Sequence, residues 1–262
     1  MREWRKFDMG LPTLASNENA RFESAIDTGL KFFDSRETNE LFIAKGYIWR
    51  SFQIIELGNY FNETTRGKEE VATLQYASKF ASDAFNQLKA KGLSFEGHFI
   101  VHDINDVPSL VCAVPVVDGK EMQHLKFSKT EEWEELHIAF IVLYEALLSY
   151  FDECVSTKKP ILWDISSIRQ YMYGTTELSK EKALYLVDPD PRLEDHPAFM
   201  HRFANRARAS IQEYIENSKN VITQESGSRL LILRKAFEDR TVEYYNIAKK
   251  ANSGNNLSNN SI

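Results

Sequence analysis

Apolar residues recur at three- and four-residue steps through "TTRGKEEVATLQYASKFASDAFNQLKAKG". Val71, Leu74, Ala77, Phe80, Ala81, Ala84, Phe85 and Leu88 share one face. The spacing predicts a helix over about 65 to 91, with Gly92 as its stop. "SKTEEWEELHIAFIVLYEALLSYFDECVSTKK" is apolar nearly all round from Ile138 to Phe151, which predicts a helix in the middle of a helical layer. Ser128 as N-cap and Glu131 three residues on would form its capping box. Two further amphipathic stretches, "HPAFMHRFANRARASIQEYIENSK" and "SGSRLLILRKAFEDRTVEYYNIAKKA", complete a helical second half.

The first half alternates instead. "GLKFFD", "ELFIAKGYIW" and "SFQIIELGNYF" predict a three-stranded meander, and "GHFIVHDI" and "SLVCAVPVV" predict two strands joined by the turn "NDVP". "DGKE" reads as a turn or linker. After the long helix come two short strand pieces, "PILWDISSIRQYMYG" and "KALYLVDPDP", separated by the polar "TTELSKE". The expected organisation is a loosely ordered 1–20, a strand-rich 21–117 with one helix, a mainly helical 118–250 and a disordered tail 251–262.

Composition narrows the function classes. The 262 residues are 43% apolar and 12% aromatic with a net charge of −6, enough for a sizeable core. Without a basic stripe interleaved with aromatics, nucleic acid is not an expected partner. Cys112 and Cys154 each sit in an apolar run, which predicts buried thiols in a reducing compartment. "MREWRKFDMGLPTLASNENA" lacks the apolar stretch of a signal peptide. The most apolar run, "IAFIVLYEALLSYF", contains Glu145 and is too short for a membrane span. The expectation is a soluble cytoplasmic protein without a membrane partner. The histidines lack zinc spacing.

The candidate chemistry lies where short apolar runs end in carboxylates: Asp164 in "ILWDISSIRQ", then Asp188 and Asp190 in "YLVDPDP". Three local roles compete. Asp164 suits a helix N-cap, Asp188 and Asp190 suit a proline-rich turn, and the three aspartates with His196 would suit a metal-dependent hydrolase. Lys45 reads as a solvated strand lysine, and Glu69 and Glu70 as carboxylates complementing a helix dipole.

The order of elements, from roughly residue 25 to 250, resembles the protein-kinase-like fold, in a divergent bacterial-type kinase or a pseudokinase. The resemblance implies an α+β chain of two lobes, a small β-rich one with one helix and a larger, mainly helical one, with ATP and Mg2+ between them. It implies that Asp164 handles the acceptor hydroxyl and that Asp188 ligates magnesium. The family carries an asparagine five positions after the first aspartate. This chain has Arg169 there, which cannot hold a cation, and Gln170 next, whose amide oxygen can. Lys45, in "FIAKG", is the counterpart of the nucleotide-binding lysine and Glu70 of its carboxylate partner; a second register puts Gln53 at the lysine's position. The family's glycine-rich loop is missing, since Gly29 and Gly46 stand alone. The implied activity is an atypical phosphotransferase acting on an acceptor. The alternatives are a catalytically inactive pseudokinase or an unrelated α+β module that binds protein partners.

Overall fold

A computed structural model describes residues 42–44, 46–52, 70–95, 97–104, 107–128, 133–177 and 179–258. They form an α+β structure with small antiparallel sheets. Strands β1 (Phe42–Ala44) and β2 (Tyr47–Phe52) pair as a hairpin. The alternating pattern predicts one continuous strand through "ELFIAKGYIW". The structure breaks it at Gly46, whose φ of 78° is the left-handed backbone that turns the chain. "GLKFFD", Lys45, Gln53, Glu69 and Glu131 lie outside the described residues.

Helix α1 (Glu70–Ala90) ends as the pattern requires, with Gly92 at φ 106°. Its buried residues Leu74, Ala77, Ala81, Phe85 and Leu88 are the predicted stripe. Strands β3 (His98–Ile104) and β4 (Val107–Pro115) follow, and the first sheet runs β1-β2-β4-β3. Strand β2 pairs with β4 so that Ile48 faces Val114, Arg50 faces Cys112 and Phe52 faces Leu110. Alternation puts these pairs on one side of the sheet. Phe99 joins that side as the cross-strand partner of Cys112. There α1 packs: Phe85 stacks on Phe99 at 5.4 Å and on Phe95 at 4.5 Å, and Ser78 Oγ donates to the Phe99 carbonyl.

"DGKE" is not a linker. It belongs to β5 (Val117–Glu121), which pairs with β7 (Tyr171–Thr176), and β7 pairs with β8 (Ala183–Leu186). Asp-Gly is ordinarily turn chemistry. Here Gly119 lies opposite Gly174, and a Cβ on either would strike the backbone of the other strand. The glycines permit a close approach of two strands rather than a bend. One residue, Val116, separates β4 from β5, and its N–H donates to the Gly46 carbonyl at 2.9 Å. The second sheet is tied to the first half again after α1, where Ser94 bridges to Tyr185 and its carbonyl accepts the Leu186 N–H at 3.1 Å.

Helix α2 (Glu134–Thr157) starts later than its sequence suggests. Trp133 is its N-cap residue, without a side-chain cap, and Ser128 instead offers its carbonyl to Trp133 Nε1 at 2.7 Å. Nor is α2 buried all round: Ile138 is 47% exposed and Val142 36%, while Phe140, Tyr144, Leu147, Tyr150 and Phe151 are buried. Helix α3 (Pro197–Ser218) packs along α4 (Gln224–Ser258), which continues past residue 251 into the expected tail. Phe203 of α3 lies among Tyr150, Phe151 and Phe237, and Tyr214 stacks on Phe140 at 3.7 Å.

Two stability tests follow from this packing. Gly174→Val should cost about 1–3 kcal/mol through overpacking against β5. Gly227→Ala, in α4 with open space around the added methyl, should be neutral or stabilise by up to ~1 kcal/mol. Midpoints of urea unfolding compare the two. Burial of His98 lowers its pKa from 6.5 to about 4. Between those values the unfolded chain binds a proton that the folded chain does not, so the contribution of neutral His98 is full above pH 6.5 and is lost toward pH 4. His98→Gln should flatten that part of the stability profile, measured by denaturation from pH 7.5 to 4.

Candidate functional site

The segment carrying Asp164 is bracketed by the pairing of β6 (Ile161–Leu162) with β9 (Leu193–Glu194). Two 3-10 turns, Asp164–Ser166 and Ile168–Gln170, fill the space between β6 and β7. Neither forms a regular ladder, so the backbone finds other partners. Tyr150 Oη accepts the Leu162 N–H at 3.1 Å, Tyr171 Oη donates to the Ile165 carbonyl at 2.6 Å, and Tyr144 Oη donates to the Ser166 carbonyl at 3.2 Å. Ser210 Oγ accepts the Ile168 N–H at 3.0 Å. Burial pushes all three tyrosine hydroxyls above their ordinary pKa, so they stay protonated, Tyr144 and Tyr171 as the donors and Tyr150 as the acceptor.

That frame presents the Asp164 side chain, 15% exposed. It is not the N-cap of a helix: Trp163 is at that position, and the carboxylate accepts from Arg206 Nη1 and Gln170 Nε2. The Arg206 guanidinium also lies 4.3 Å from the centre of the Trp163 ring. Burial lowers its pKa, the mark of a cation with reduced access to water. Gln170 turns its amide nitrogen to Asp164, which leaves the oxygen as the amide's remaining acceptor.

Asp188 follows β8. Its carboxylate pairs with Arg50 of β2, in the first sheet, and both side chains keep access to solvent, 45% and 38%. Arg50 also lies over Phe52 at 4.8 Å. Its cross-strand partner Cys112 is buried, and burial raises that thiol's pKa, with Arg50 and Asp188 acting on it in opposite senses. The Val187 N–H donates to the Gln170 carbonyl at 2.9 Å. The residue before Asp188 is therefore bonded to the residue whose side chain holds Asp164.

The other candidates divide. Asp190 is buried and accepts the Arg192 backbone N–H at 3.0 Å and Arg192 Nε at 2.8 Å, the turn role its prolines suggest. His196 caps α3, its Nδ1 accepting the Ala198 N–H at 3.1 Å. Asp190 and His196 thus have structural duties, which removes support from a hydrolase site. Glu70 is exposed in the first turn of α1 and joins none of these residues among those described; Lys45 lies outside them. Sequence reasoning missed Arg50 and Arg206. Arg50 carried a signal: in "YIWRSF" it is a lone charge on the half of the alternation occupied by Ile48 and Phe52. Arg206 carried none, because a helix with several arginines reads as a solvated face.

Among the described residues, no three His, Cys, Asp or Glu side chains gather to hold a metal. Magnesium needs fewer, since one or two carboxylates suffice when phosphates and water complete its shell. Asp188 is a carboxylate of that kind, Gln170 has an amide oxygen, and Arg50 is a cation suited to a phosphate.

Removing the hydroxyl in Tyr150→Phe strands the buried Leu162 N–H beside Asp164. The variant should lose about 1–3 kcal/mol, with amide exchange at Leu162 rising more than exchange in α4. No family model, curated protein or solved structure matches this chain.

Proposed function

We propose that this chain is an atypical kinase-like phosphotransferase that binds a magnesium nucleotide, ATP, between a small strand-rich lobe and a larger helical lobe. The observation that carries the reading is the Arg50–Asp188 pair. A cation from the first sheet meets a carboxylate at the end of the β7–β8 hairpin, beside the segment that holds Asp164. Arg50 takes the phosphate-binding role that "FIAKG" suggested for Lys45. The pairing of β6 with β9 around these residues supports the same reading.

Each residue then has a task. Asp188 and Gln170 would hold magnesium, which neutralises charge on the phosphate oxygens. Arg50 exchanges its bond to Asp188 for one to a nucleotide phosphate. Asp164 orients the acceptor hydroxyl and takes its proton. Phosphoryl transfer asks little more of a protein than this positioning and charge. Free, buried Cys112 and Cys154 favour a reducing, cytoplasmic setting. Among the described residues no helix is long and apolar enough to cross a membrane.

One observation favours a second reading, a pseudokinase that binds but does not transfer. Asp164 is already neutralised by Arg206, and a carboxylate held by a guanidinium is a poorer base. An α+β module binding only protein partners is the remaining alternative.

Two variants separate these readings. Asp188→Asn should abolish binding of Mg-ATP, because it removes a metal ligand already used in the ground state. Asp164→Asn should keep the affinity and lower transfer by ~10²–10⁴-fold. Calorimetry reads the first and transfer of radiolabelled phosphate the second. Wild type that binds without transferring establishes the pseudokinase reading, and wild type that does neither rejects both.

A further inference from the structure

We propose that the arginine and aromatic cluster beside Asp164 is an oxyanion subsite, so that the acceptor of the phosphoryl group is itself a small phosphate monoester. This rests on the phosphotransferase reading for the word acceptor, but the anion site stands on its own contacts.

Phe199, Arg202 and Arg206 occupy steps of three and four along α3 and so share a face. Phe199 lies 5.7 Å from Trp163, centroid to centroid, and the two rings form an aromatic floor. Guanidinium groups border it: Arg206 at 4.3 Å and Arg192 at 5.7 Å from the Trp163 ring, and Arg202 at 5.0 Å from Phe199. An arginine stacked on a ring is pre-organised and keeps its in-plane N–H groups for an anion.

The charges do not cancel. Asp190 matches Arg192 and Asp164 matches Arg206. Among the described residues Arg202 has no carboxylate partner, and the first turn of α3 carries no acidic side chain. A phosphate dianion satisfies Arg202 and competes with Asp164 for Arg206. A neutral or cationic acceptor gains nothing from this cluster. The nucleotide's phosphates are assigned to Arg50 and Asp188, so the anion here belongs to the other substrate.

The subsite also resolves the ion pair on the base. When the acceptor's phosphate draws Arg206 away, Asp164 becomes available as the acceptor hydroxyl arrives. The hydroxyl oxygen attacks the γ-phosphorus of ATP, its bond to phosphorus forms as the bond to the ADP oxygen breaks, and the hydroxyl proton passes to Asp164. The products are ADP and an acceptor carrying a second phosphate.

Glycerol 3-phosphate, a phosphate monoester with free hydroxyls, is the probe, and glycerol is its uncharged control. Each is titrated calorimetrically at low salt into wild type, Arg202→Gln, Arg206→Gln and Arg208→Gln. Arg208 bonds Asn205 and lies outside the cluster. Mg-ATP is titrated into the same proteins. The expected result is saturable binding of glycerol 3-phosphate and none of glycerol. Arg202→Gln and Arg206→Gln should each weaken it by about 10- to 100-fold, with Arg208→Gln and all Mg-ATP affinities unchanged. No saturable binding by wild type, or equal loss in Arg208→Gln, overturns the subsite. Loss of Mg-ATP affinity in Arg202→Gln or Arg206→Gln assigns the arginines to the nucleotide and overturns the acceptor role. If glycerol 3-phosphate binds through Arg202 and Arg206 while Mg-ATP does not bind, the kinase-like reading falls and the oxyanion subsite remains.

Discussion

A buried peptide group without a partner is expensive, and the stretch from Trp163 to Gln170, with Ile165, Ser166 and Ile168 buried, runs between β6 and β7 outside any sheet. Its solution is a set of hydroxyls delivered from three elements: Tyr144 and Tyr150 from α2, Tyr171 from β7 and Ser210 from α3. The long helix is thus a rack of donors and acceptors as well as an apolar wall. The position of Asp164, and through Gln170 that of Asp188, depends on this one arrangement. It also explains tyrosine in a core where phenylalanine would pack as well.

The electrostatics follow from where the loop is held. Fixing carboxylates in partly dry surroundings demands compensation, and each of the three aspartates has an arginine: Arg206 for Asp164, Arg50 for Asp188, Arg192 for Asp190. The pairs differ in their surroundings. Asp190 is closed off by its own turn. Asp188 and Arg50 both remain half open to water, where a competing ligand enters at low cost. Asp164 lies between, its arginine stacked on Trp163. The same residue type therefore supports a closed structural turn in one place and a solvent-open ion pair in another.

Much of this was legible in the chain. The α1 stripe, its Gly92 stop and both C-terminal helices were written in helical periodicity, which depends on local residues alone. The two strands on either side of "NDVP" were equally plain, although β4 takes in Val107 and Pro108, and Asn105 and Asp106 lie outside the described residues. What escaped was non-local. "DGKE" looks like a turn until Gly174, far along the chain, supplies the partner that lets Gly119 lie flat in a sheet. The hairpin at Gly46 was hidden because apolar alternation continues across it. Asp164 and Asp188 were found as carboxylates at strand ends, but their arginines were not. The alternation in "YIWRSF" marks Arg50 as a charge on an apolar face, but nothing in the spacing names Asp188, 138 residues on, as its partner.

The single residue between β4 and β5 has a mechanical meaning. Val116 is the direct covalent joint between the first sheet and the second, and its N–H is spent on Gly46. A long linker would let the sheets swing apart through many small rotations. Here the available freedom is the φ and ψ of Val116, restrained by its hydrogen bond to Gly46, with a second stitch at Ser94 and Leu186. Such a joint behaves as a torsion bar, resisting wide separation and favouring a shallow twist. The Arg50–Asp188 pair, which ties β2 to the end of β8, would then open by side-chain release and slight rotation, with the sheets staying close.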